Sequence, residues 1–494
     1  MTDLFQNPLC NPEDLGKAIP DHELGVSVCL PLWKHVIGYE EKDPDVVSKF
    51  QSGYPRFCCP PAISRLFAAA EKEFAAEGER CLVFPRVVHA QRCIDFIQGR
   101  GRAVEWKAHG LGVAIFPAAS YDTARQFWRF CGECVSTRQA CDALGEHKST
   151  ATEEEGRAAN RIIRERIAEL AGQQPEDVFL FPSGMAANYA VHRMLTHLFP
   201  ERKTIQLDFP YVDVLKLQQK FGSGAHFLPL TKDSEYETLR KIMEDEPLSG
   251  LFCEAPSNPL LRCVDFERLL QIHDATRPET PIIIDDTIST VAHADALKVA
   301  DVTTTSLTKS FSGVGDVLAG SVVLSRKSHH HAAFSKFLTD HADHELWRGD
   351  AVALELNSRD FVQRANTMAR NAKLLAEYLR THPKVDRVWH AEKDGGRGYE
   401  HIRREIGGYG CLFSFTLKNP EQTSAPFYDA LRVSKGPSLG TNFTLACPYT
   451  LLAHYDELEW VESCGVSRWL IRVSAGLEDT QDLIARFDEA LAKV

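Results

Sequence analysis

The chain has 494 residues, of which 44% are hydrophobic and 25% charged, and its formal net charge is −12. This length exceeds what one hydrophobic core organises, so we expect two or three domains. An acidic chain without a basic block is a poor candidate for binding nucleic acid or an anionic membrane surface. No run approaches a membrane span, the first residues lack a signal peptide's features, and the 14 cysteines are scattered as in reduced proteins. We therefore expect a cytoplasmic protein with no membrane or nucleic-acid partner.

The first part of the chain is predicted to be an N-terminal extension, residues 1–120. Residues 1–60 are irregular and contain several prolines, and we expect an arm that lies along another surface. The periodicity that follows predicts a helix, a strand, a helix and a strand, at 61–77, 81–84, 87–98 and 112–117.

The middle of the chain, residues 121–330, is predicted to be a large α/β domain. It opens with helical patterns at 124–138 and 153–171. Short apolar runs then alternate with helical segments, which predicts a mostly parallel, doubly wound sheet. The predicted strands are 178–182, 204–208, 251–255, 281–285, 301–307 and 320–325.

The last part, residues 331–494, shows a different pattern and is predicted to be an α+β domain. A long helix is expected at 350–380 and a closing helix at 479–492. Between them we expect strands near 385–389, 410–417 and 469–474 and a helix at 424–432.

Two patterns that sometimes bind metals are not interpreted as metal sites. Cys131 and Cys134 form a CxxC pair, but no second pair of ligands accompanies them. Three adjacent histidines, His329 to His331, would point in different directions from a helix. We predict no metal.

One lysine, Lys309, follows the predicted strand 301–307 in a turn rich in serine and glycine. Burial at a strand end would favour the neutral amine, which is a nucleophile toward carbonyls. The hydroxyls of Ser306 and Thr308 precede it and can bond phosphate oxygens. These are the groups that a pyridoxal phosphate (PLP) Schiff-base site requires. A strand-end lysine that points into solvent fits this stretch as well.

Other predicted strands bring suitable groups to the same edge, because the carboxyl ends of parallel strands lie together. After strand 178–182, the turn with Gly184 and Met185 opens a helix whose N–H groups can hold a phosphate. Asp285 ends an apolar strand, and a buried carboxylate needs a cationic partner such as a pyridinium N–H. A capping or metal-binding aspartate is the alternative.

Three further residues have two interpretations each. Asn258, between two prolines, can donate to a cofactor oxygen or serve as a turn residue. Tyr211 can stack on a flat ring or lie in a surface turn. Arg472, on an apolar strand, can bind a substrate carboxylate or a structural glutamate. Taken together, these strand ends favour a PLP site.

At this point the residues resemble a known family, the Cys/Met-metabolism PLP enzymes. The likeness runs from about Arg138 to the C-terminus, and the N-terminal region is similar to the fungal cystathionine γ-synthase branch. The motifs that carry it are GYEE (38–41), GYPRF (53–57), SGM (183–185), EAPSNP (254–259), DDT (285–287), SLTK (306–309), SLG (438–440) and RVSAGLE (472–478).

The resemblance implies the fold type I PLP architecture, in a homodimer or homotetramer that shares active sites between subunits. It makes Lys309 the Schiff-base lysine, pairs Asp285 with the pyridine nitrogen, and stacks Tyr211 on the ring as a further acid/base. Gly184, Met185, Thr287, Ser306 and Thr308 would bind the cofactor, Ser136 and Arg138 would reach the neighbouring subunit's phosphate, and Asn258, Ser438 and Arg472 would hold the substrate carboxylate.

This chain departs from the family pattern at two of these places. Ser136-Thr137-Arg138 stands where many members have Tyr-Ser-Arg, so the neighbour's phosphate-binding phenol is missing. Gly440-Thr441 replaces the usual Gly-Gly, which would narrow the substrate pocket.

The resemblance implies γ-replacement on an activated L-homoserine, O-acetyl-L-homoserine, through a vinylglycine ketimine, with the thiol of cysteine as nucleophile. A carbon nucleophile such as a β-keto acid, giving a specialised amino-acid precursor, is the alternative. A γ-lyase and a non-catalytic scaffold remain as further possibilities. No GxGxxG follows a predicted strand, which argues against a nicotinamide dehydrogenase.

Overall fold

A computed structural model describes residues 3–341 and 345–494. Its first part contains a short strand pair, two helices, and then a three-stranded antiparallel sheet of order β3-β5-β4 flanked by helices. The elements are β1 (Ala18–Ile19), β2 (Ser27–Val28), α1 (Trp33–Glu40), α2 (Pro44–Val47), α3 (Pro61–Phe74), β3 (Glu79–Phe84), α4 (Val87–Phe96), β4 (Arg102–Trp106), β5 (Leu111–Pro117), α5 (Tyr121–Cys131) and α6 (Thr137–Leu144).

A seven-stranded sheet forms the centre of the molecule, with strand order β6-β12-β11-β10-β9-β7-β8. Strand β12 is antiparallel to both neighbours, and the other pairs are parallel. The elements are α7 (Glu153–Ala171), β6 (Val178–Phe181), α8 (Gly184–Leu198), β7 (Thr204–Leu207), α9 (Val212–Lys220), β8 (Ala225–Leu228), α10 (Ser234–Asp245), β9 (Gly250–Glu254), α11 (Phe266–Thr276), β10 (Ile282–Asp285), α12 (Thr290–His293), β11 (Val302–Thr305), β12 (Gly320–Leu324) and α13 (His331–His341).

A five-stranded sheet of order β13-β14-β17-β16-β15 organises the C-terminal part. Its pairs are antiparallel except for β15 with β16. The elements are α14 (Arg348–Asn357), α15 (Phe361–Thr381), β13 (Val385–Trp389), α16 (Ala391–Asp394), α17 (Gly396–Ile402), β14 (Leu412–Leu417), α18 (Pro420–Ala430), β15 (Ser434–Lys435), β16 (Leu445–Pro448), α19 (Tyr449–His454), α20 (Leu458–Ser463), β17 (Ile471–Ser474) and α21 (Thr480–Leu491).

The central sheet is buried on both faces, which is why its strands are nearly continuous apolar runs. Along β6, Phe179 and Phe181 enter the core that also contains α8 and the N-terminal sheet. Val178 and Leu180 alternate with them and enter the opposite core, shared with α7 and α11. The predicted fold, a mostly parallel sheet between helices, is confirmed.

The N-terminal arm lies along the C-terminal part of the same chain. Trp33 stacks on Trp469 at a ring-centroid distance of 5.9 Å. The Tyr428 hydroxyl donates to the Leu30 carbonyl oxygen at 2.8 Å, and Arg486 donates to that of Phe5 at 2.6 Å. The arm is thus tied to another surface, as expected, both by apolar packing and by hydrogen bonds to its backbone.

Two predicted helices are wrong in extent. The helix expected at 124–138 ends at Cys131, because Gly132 adopts a left-handed conformation with φ of 66° and terminates it. The helix expected at 350–380 is interrupted between α14 and α15. At this break Arg364 donates to the Asn357 carbonyl oxygen at 2.7 Å, which satisfies a group that leaves the helical pattern.

Several short elements were not predicted, among them β4, β8 and β16, each of four or five residues. None of the helices within residues 3–341 and 345–494 is long and apolar enough to cross a bilayer.

Candidate active site

Lys309 lies just beyond the carboxyl end of β11, in a tight turn that faces the C-terminal sheet. Its Nζ donates to the Ser438 Oγ at 3.1 Å and lies 5.0 Å from the centre of the Tyr54 ring. Gly440, at φ of 73°, packs directly on this turn: a Cβ there would come within 2.5 Å of the Ser310 backbone nitrogen. A side chain at position 440 would therefore push the lysine turn away from the substrate side.

A second clamp holds the same turn from α15. The buried Arg364 guanidinium donates to the carbonyl oxygens of Ser310 and Phe311, each at 3.0 Å. Because the interruption between α14 and α15 directs Arg364 to this place, the irregularity that the periodicity missed helps to fix Lys309.

Burial, together with the neighbouring guanidinium groups of Arg472 and Arg56, lowers the pKa of Lys309 to about 7. A substantial fraction of the amine is then neutral at physiological pH, whereas an exposed lysine is almost fully protonated. The structure gives this lysine the ionisation that a nucleophile and proton carrier needs.

This ionisation predicts a lysine that reacts unlike the others. In cofactor-free protein labelled with trace acetic anhydride and analysed by peptide mass spectrometry, Lys309 should acquire reactivity around pH 7. Two internal controls should become reactive only at higher pH: burial lowers the pKa of Lys435 to about 8, and the hydrogen bond to Asp14 raises that of Lys17. A Lys309 that titrates together with Lys17 would contradict the assignment.

Asp285 ends β10 opposite Glu254 of β9 and Thr304 of β11. Its Oδ1 accepts the Thr287 backbone N–H at 3.0 Å, and its Oδ2 accepts an Asn188 Nδ2 hydrogen at 3.3 Å. Burial raises the pKa of Asp285, and these hydrogen bonds oppose that rise. Fixed but partly open, the carboxylate can accept a charged N–H from a bound ring.

A small cradle lies between the start of α8 and the residue that follows β11. A Cβ at Gly184 would lie 2.7 Å from the Cβ of Ser306, so only glycine allows this close approach. The Ser306 N–H donates to the Thr287 Oγ1 at 2.8 Å, which fixes the loop. With the free N–H groups of Gly184 and Met185 at the helix start, this arrangement suits a phosphate.

Thr308 has backbone partners for its hydroxyl in the chain alone, and its expected role toward a phosphate stays a prediction. Its buried hydroxyl donates to the Ala319 carbonyl oxygen at 3.3 Å and accepts the Ala319 N–H at 3.0 Å. Because the Thr308 hydroxyl donates its proton to the backbone, Ser306 carries the other hydroxyl of this motif that can donate.

The substrate side is built around Arg472 on β17. Its guanidinium donates to the carbonyl oxygens of Pro437 and Ser438 at 2.7 and 3.0 Å and to the Asn258 Oδ1 at 3.4 Å. Tyr449 supports both partners: its hydroxyl accepts from the Asn258 Nδ2 at 3.2 Å, and Arg472 lies 4.9 Å from its ring centre. A buried arginine without a carboxylate among these contacts is suited to a substrate carboxylate.

Tyr211 precedes α9 and contacts Glu254, the residue that pairs with Asp285 across β9 and β10. Its backbone N–H donates to the Glu254 Oε1 at 2.5 Å, and its hydroxyl accepts a hydrogen bond from Arg56. Burial raises the pKa of Tyr211 well above its ordinary value. The side chain is therefore a neutral phenol, which can donate a proton or a hydrogen bond but is not a ready base.

Ser136 and Arg138 do not contact Lys309 or Asp285 in the single chain. The Ser136 Oγ donates to the Asp350 Oδ2 at 2.6 Å and accepts the Gln139 N–H at 3.0 Å. Arg138 donates to the Asp316 Oδ2 at 2.9 Å. Their expected role toward a neighbouring subunit stays a prediction.

Thr441, which departs from the family pattern, is buried, and its hydroxyl donates to the Phe443 carbonyl oxygen at 2.6 Å.

Sequence patterns did not assign a role to Glu254, although its carboxylate links two loops of the site. It accepts the backbone N–H groups of Tyr211 and Asn258, at 2.5 and 3.1 Å. Burial and the nearby Asp285 raise its pKa well above the ordinary range. The sequence signal that could have identified Glu254 is its position as a charged residue at the end of an apolar strand.

The residues around this recess fit PLP. Burial is the main cause of the shifted pKa of Lys309, Asp285 and Tyr211. Each of these three side chains, and that of Ser306, is nevertheless partly exposed. They therefore line a deep but open space. The Gly184 cradle, the Asp285 carboxylate and the Lys309 amine provide, respectively, for a phosphate, a ring nitrogen and an aldehyde.

Family comparisons divide the chain at the same place as the motifs. The model described as Cys/Met metabolism PLP-dependent enzyme matches residues 138–492. A second model, described as fungal trans-sulfuration enzyme, N-terminal domain, matches residues 62–136. The two matches together leave the first 61 residues outside.

Curated relatives cover nearly the whole chain. It is 31% identical to a cystathionine gamma-synthase-like enzyme, iboG1, of Amanita muscaria, over 96% of both chains. It is also 31% identical to the cystathionine gamma-synthase of Neurospora crassa, over 97% of this chain and 98% of the relative.

A solved structure shares the fold. The cystathionine gamma synthase of Xanthomonas oryzae pv. oryzae matches with a TM-score of 0.59 and 22% identity, over 69% of this chain and 88% of that one.

Proposed function

Because the chain belongs to the Cys/Met metabolism PLP-dependent enzyme family, we propose that it catalyses γ-replacement on an activated L-homoserine. The proposed amino-acid substrate is O-acetyl-L-homoserine, and the proposed nucleophile is the thiol of cysteine. One observation carries the proposal: the Lys309 amine is held by Ser438, whose own carbonyl oxygen is held by the carboxylate-binding candidate Arg472. A substrate anchored at Arg472 thus presents its α-carbon to the lysine.

The chemistry divides between the cofactor and the chain. Bound PLP supplies an electron sink for negative charge that develops next to the substrate amine. Lys309, with a pKa of about 7, takes the α-proton and returns protons to the substrate carbons. Acetate leaves Cγ with its bonding electron pair, the cysteine sulfur forms the new C–S bond, and the thiol proton is released.

Product analysis tests this proposal and separates it from its rivals. The PLP-loaded enzyme is incubated with O-acetyl-L-homoserine and with cysteine, acetoacetate or no nucleophile, and the products are read by mass spectrometry. Cystathionine, formed only with cysteine, is the expected result. A carbon-linked product with acetoacetate would show that the enzyme uses a carbon nucleophile instead of cysteine. Formation of 2-ketobutyrate without any added nucleophile would identify a γ-lyase.

Arg472→Lys should raise the KM for the amino-acid substrate by roughly 10- to 100-fold, because it replaces a bidentate donor by a single ammonium. The kcat should change less, since Lys309 and the cofactor remain. Steady-state kinetics with O-acetyl-L-homoserine measure both.

A matched control is Arg486→Lys, since Arg486 is equally buried but binds backbone and Asp482 far from Lys309. If both variants raise KM alike, Arg472 has only a structural role.

We further propose an oligomer with shared active sites in a reducing compartment, the cytoplasm. Two observations support this: Ser136 and Arg138 lie outside the site of their own chain, and all 14 cysteines lie in the described residues as free thiols. Light scattering coupled to size-exclusion chromatography should give the mass of a dimer or tetramer.

A further inference from the structure

The segment Gly53 to Phe57, from the N-terminal extension, lies between Lys309 and Tyr211. It is anchored at its centre: Trp128 donates its indole N–H to the Pro55 carbonyl oxygen at 3.0 Å. Its backbone also forms a turn, with the Phe57 N–H donating to the Tyr54 carbonyl oxygen at 2.9 Å. The segment is thus a fixed wall, which we call the GYPRF wall (residues 53–57).

Arg56 of this wall is buried, with 3% of its surface exposed, and reaches two phenols. It donates to the Tyr211 hydroxyl, and its guanidinium also faces the hydroxyl of Tyr54. The Asp213 carboxylate, 2.6 Å away, compensates its charge. A guanidinium only donates hydrogen bonds, so both phenol oxygens act as acceptors here. The Tyr211 hydroxyl in turn donates to the Asp213 Oδ2 at 3.5 Å, and the Tyr54 hydroxyl keeps a proton that it can donate.

Tyr54 is placed to use its proton in the cofactor recess. Its ring centre is 5.0 Å from the Lys309 Nζ, and its hydroxyl lies beside that of Thr308. The proton of Thr308 is directed to Ala319, as described above. Burial raises the pKa of Tyr54, which keeps the phenol protonated. In the chain alone the Tyr54 proton is therefore directed to the Thr308 oxygen, and Tyr54 is, in addition to Ser306, a hydroxyl that can donate to a bound phosphate.

Ser136, where the phenol of the family pattern is missing, cannot provide that donor within its own chain. Its hydroxyl proton goes to Asp350 at 2.6 Å, and the same oxygen caps α6. Within one chain, the phenol near Lys309 thus comes from Tyr54 and not from position 136.

We infer that the GYPRF wall is a working part of its own chain's active site, with Tyr54 as a donor to the cofactor phosphate and Arg56 as a positioning residue for Tyr54 and Tyr211. The inference rests on the PLP site proposed above, but it holds for whichever nucleophile the enzyme uses. Failure of the cystathionine assay would therefore leave it standing.

Comparing two cofactor forms tests the role of Tyr54. Tyr54→Phe should weaken PLP binding about 10-fold or more, as expected for a lost hydrogen bond to a charged group. Pyridoxal, which lacks the phosphate, should bind the variant as well as it binds the wild type. If Tyr54→Phe weakens the binding of PLP and pyridoxal equally, or weakens the binding of neither, Tyr54 does not contact the phosphate. Tyr378→Phe, which removes a hydroxyl bonded to Asp488, is the matched control.

The pH at which Lys309 becomes reactive tests the role of Arg56, because a merely structural residue would not change that pH. The groups that face the Lys309 amine are Arg56, Tyr54 and Arg472. In the acetic anhydride experiment, Arg56→Met should move the titration of Lys309 to higher pH, because a neighbouring positive charge is removed. Arg56→Lys should keep the titration but lower kcat/KM, because two phenols lose their common donor.

An unchanged titration in Arg56→Met would overturn the assignment. If that variant does not fold, full activity in Arg56→Lys would overturn it instead. Arg486→Lys is the control for loss of a buried guanidinium.

Mixed oligomers show whether the wall acts within one chain. Chains carrying Lys309→Ala and chains carrying Arg56→Lys are given different tags, and oligomers containing both are purified. We expect the mixed oligomers to be no more active than oligomers of Arg56→Lys chains alone. The reason is that every chain with an intact Lys309 carries the altered wall. Recovery well above that level would show that the wall serves the neighbouring subunit and would overturn the inference.

Discussion

Lys309→Ala is expected to yield a protein without the visible absorbance of lysine-bound PLP and with kcat lowered on the order of 10⁴-fold or more. The alanine cannot bond to the cofactor aldehyde, and within residues 3–341 and 345–494 no other lysine amine contacts the Ser438 hydroxyl. It also removes the group that carries protons between substrate carbons. Absorbance spectra of PLP-loaded protein and turnover of O-acetyl-L-homoserine measure the two losses separately.

The matched control is the buried Lys435, whose Nζ donates to the Pro31 carbonyl oxygen at 2.9 Å, in the arm contact. Lys435→Met should retain the absorbance even if it loses stability. Adding a small primary amine to Lys309→Ala should restore part of the turnover, since it replaces the missing proton carrier. Wild-type absorbance in Lys309→Ala would disprove the assignment.

Asp285→Asn is expected to keep PLP but to lower kcat by about 10²- to 10³-fold, as for the loss of one preorganised electrostatic contact. The amide retains an acceptor for the Thr287 N–H but carries no charge to keep a ring nitrogen protonated. Retention of the cofactor with loss of turnover is the pattern that identifies an electronic role. Parallel cofactor titrations and turnover assays separate the two effects.

The adjacent Asp286 offers a control with the same side chain. It is buried and accepts from the Thr305 Oγ1 at 2.5 Å, and burial raises its pKa to about 7. Asp286→Asn should therefore cost stability more than turnover. If Asp286→Asn loses as much kcat as Asp285→Asn, neither carboxylate has a specific role toward the ring.

The central sheet could be predicted from the sequence because burial on both faces leaves a strong local signal. Phe179 and Val178 are both apolar although they enter opposite cores, so β6 is one continuous hydrophobic run. The edge strand β8 carries half-exposed residues such as His226, and it lacks that signal. The end of α5 depended on a single left-handed Gly132, which helical periodicity does not reveal.

The site was predictable where a polar group ends an apolar strand. Lys309, Asp285 and Arg472 stand out in this way, and the structure brings Lys309 to Ser438, 129 positions away, and Arg472 to Asn258. Arg56 was not recognised as a site residue, because its meaning depends on Asp213, 157 positions away, and on burial of the pair. A single sequence does not record such long-range pairing.

The contact between the N-terminal arm and the C-terminal sheet has a consequence for synthesis on the ribosome. The arm emerges first, but Leu4, Leu9 and Ile19 pack on Phe443 and Leu445, which emerge near the end of translation. At about 5–20 residues per second the arm waits on the order of tens of seconds for its partner surface. A nascent chain therefore carries apolar arm residues unprotected until translation is nearly finished, and chaperone supply should govern the yield of full-length protein.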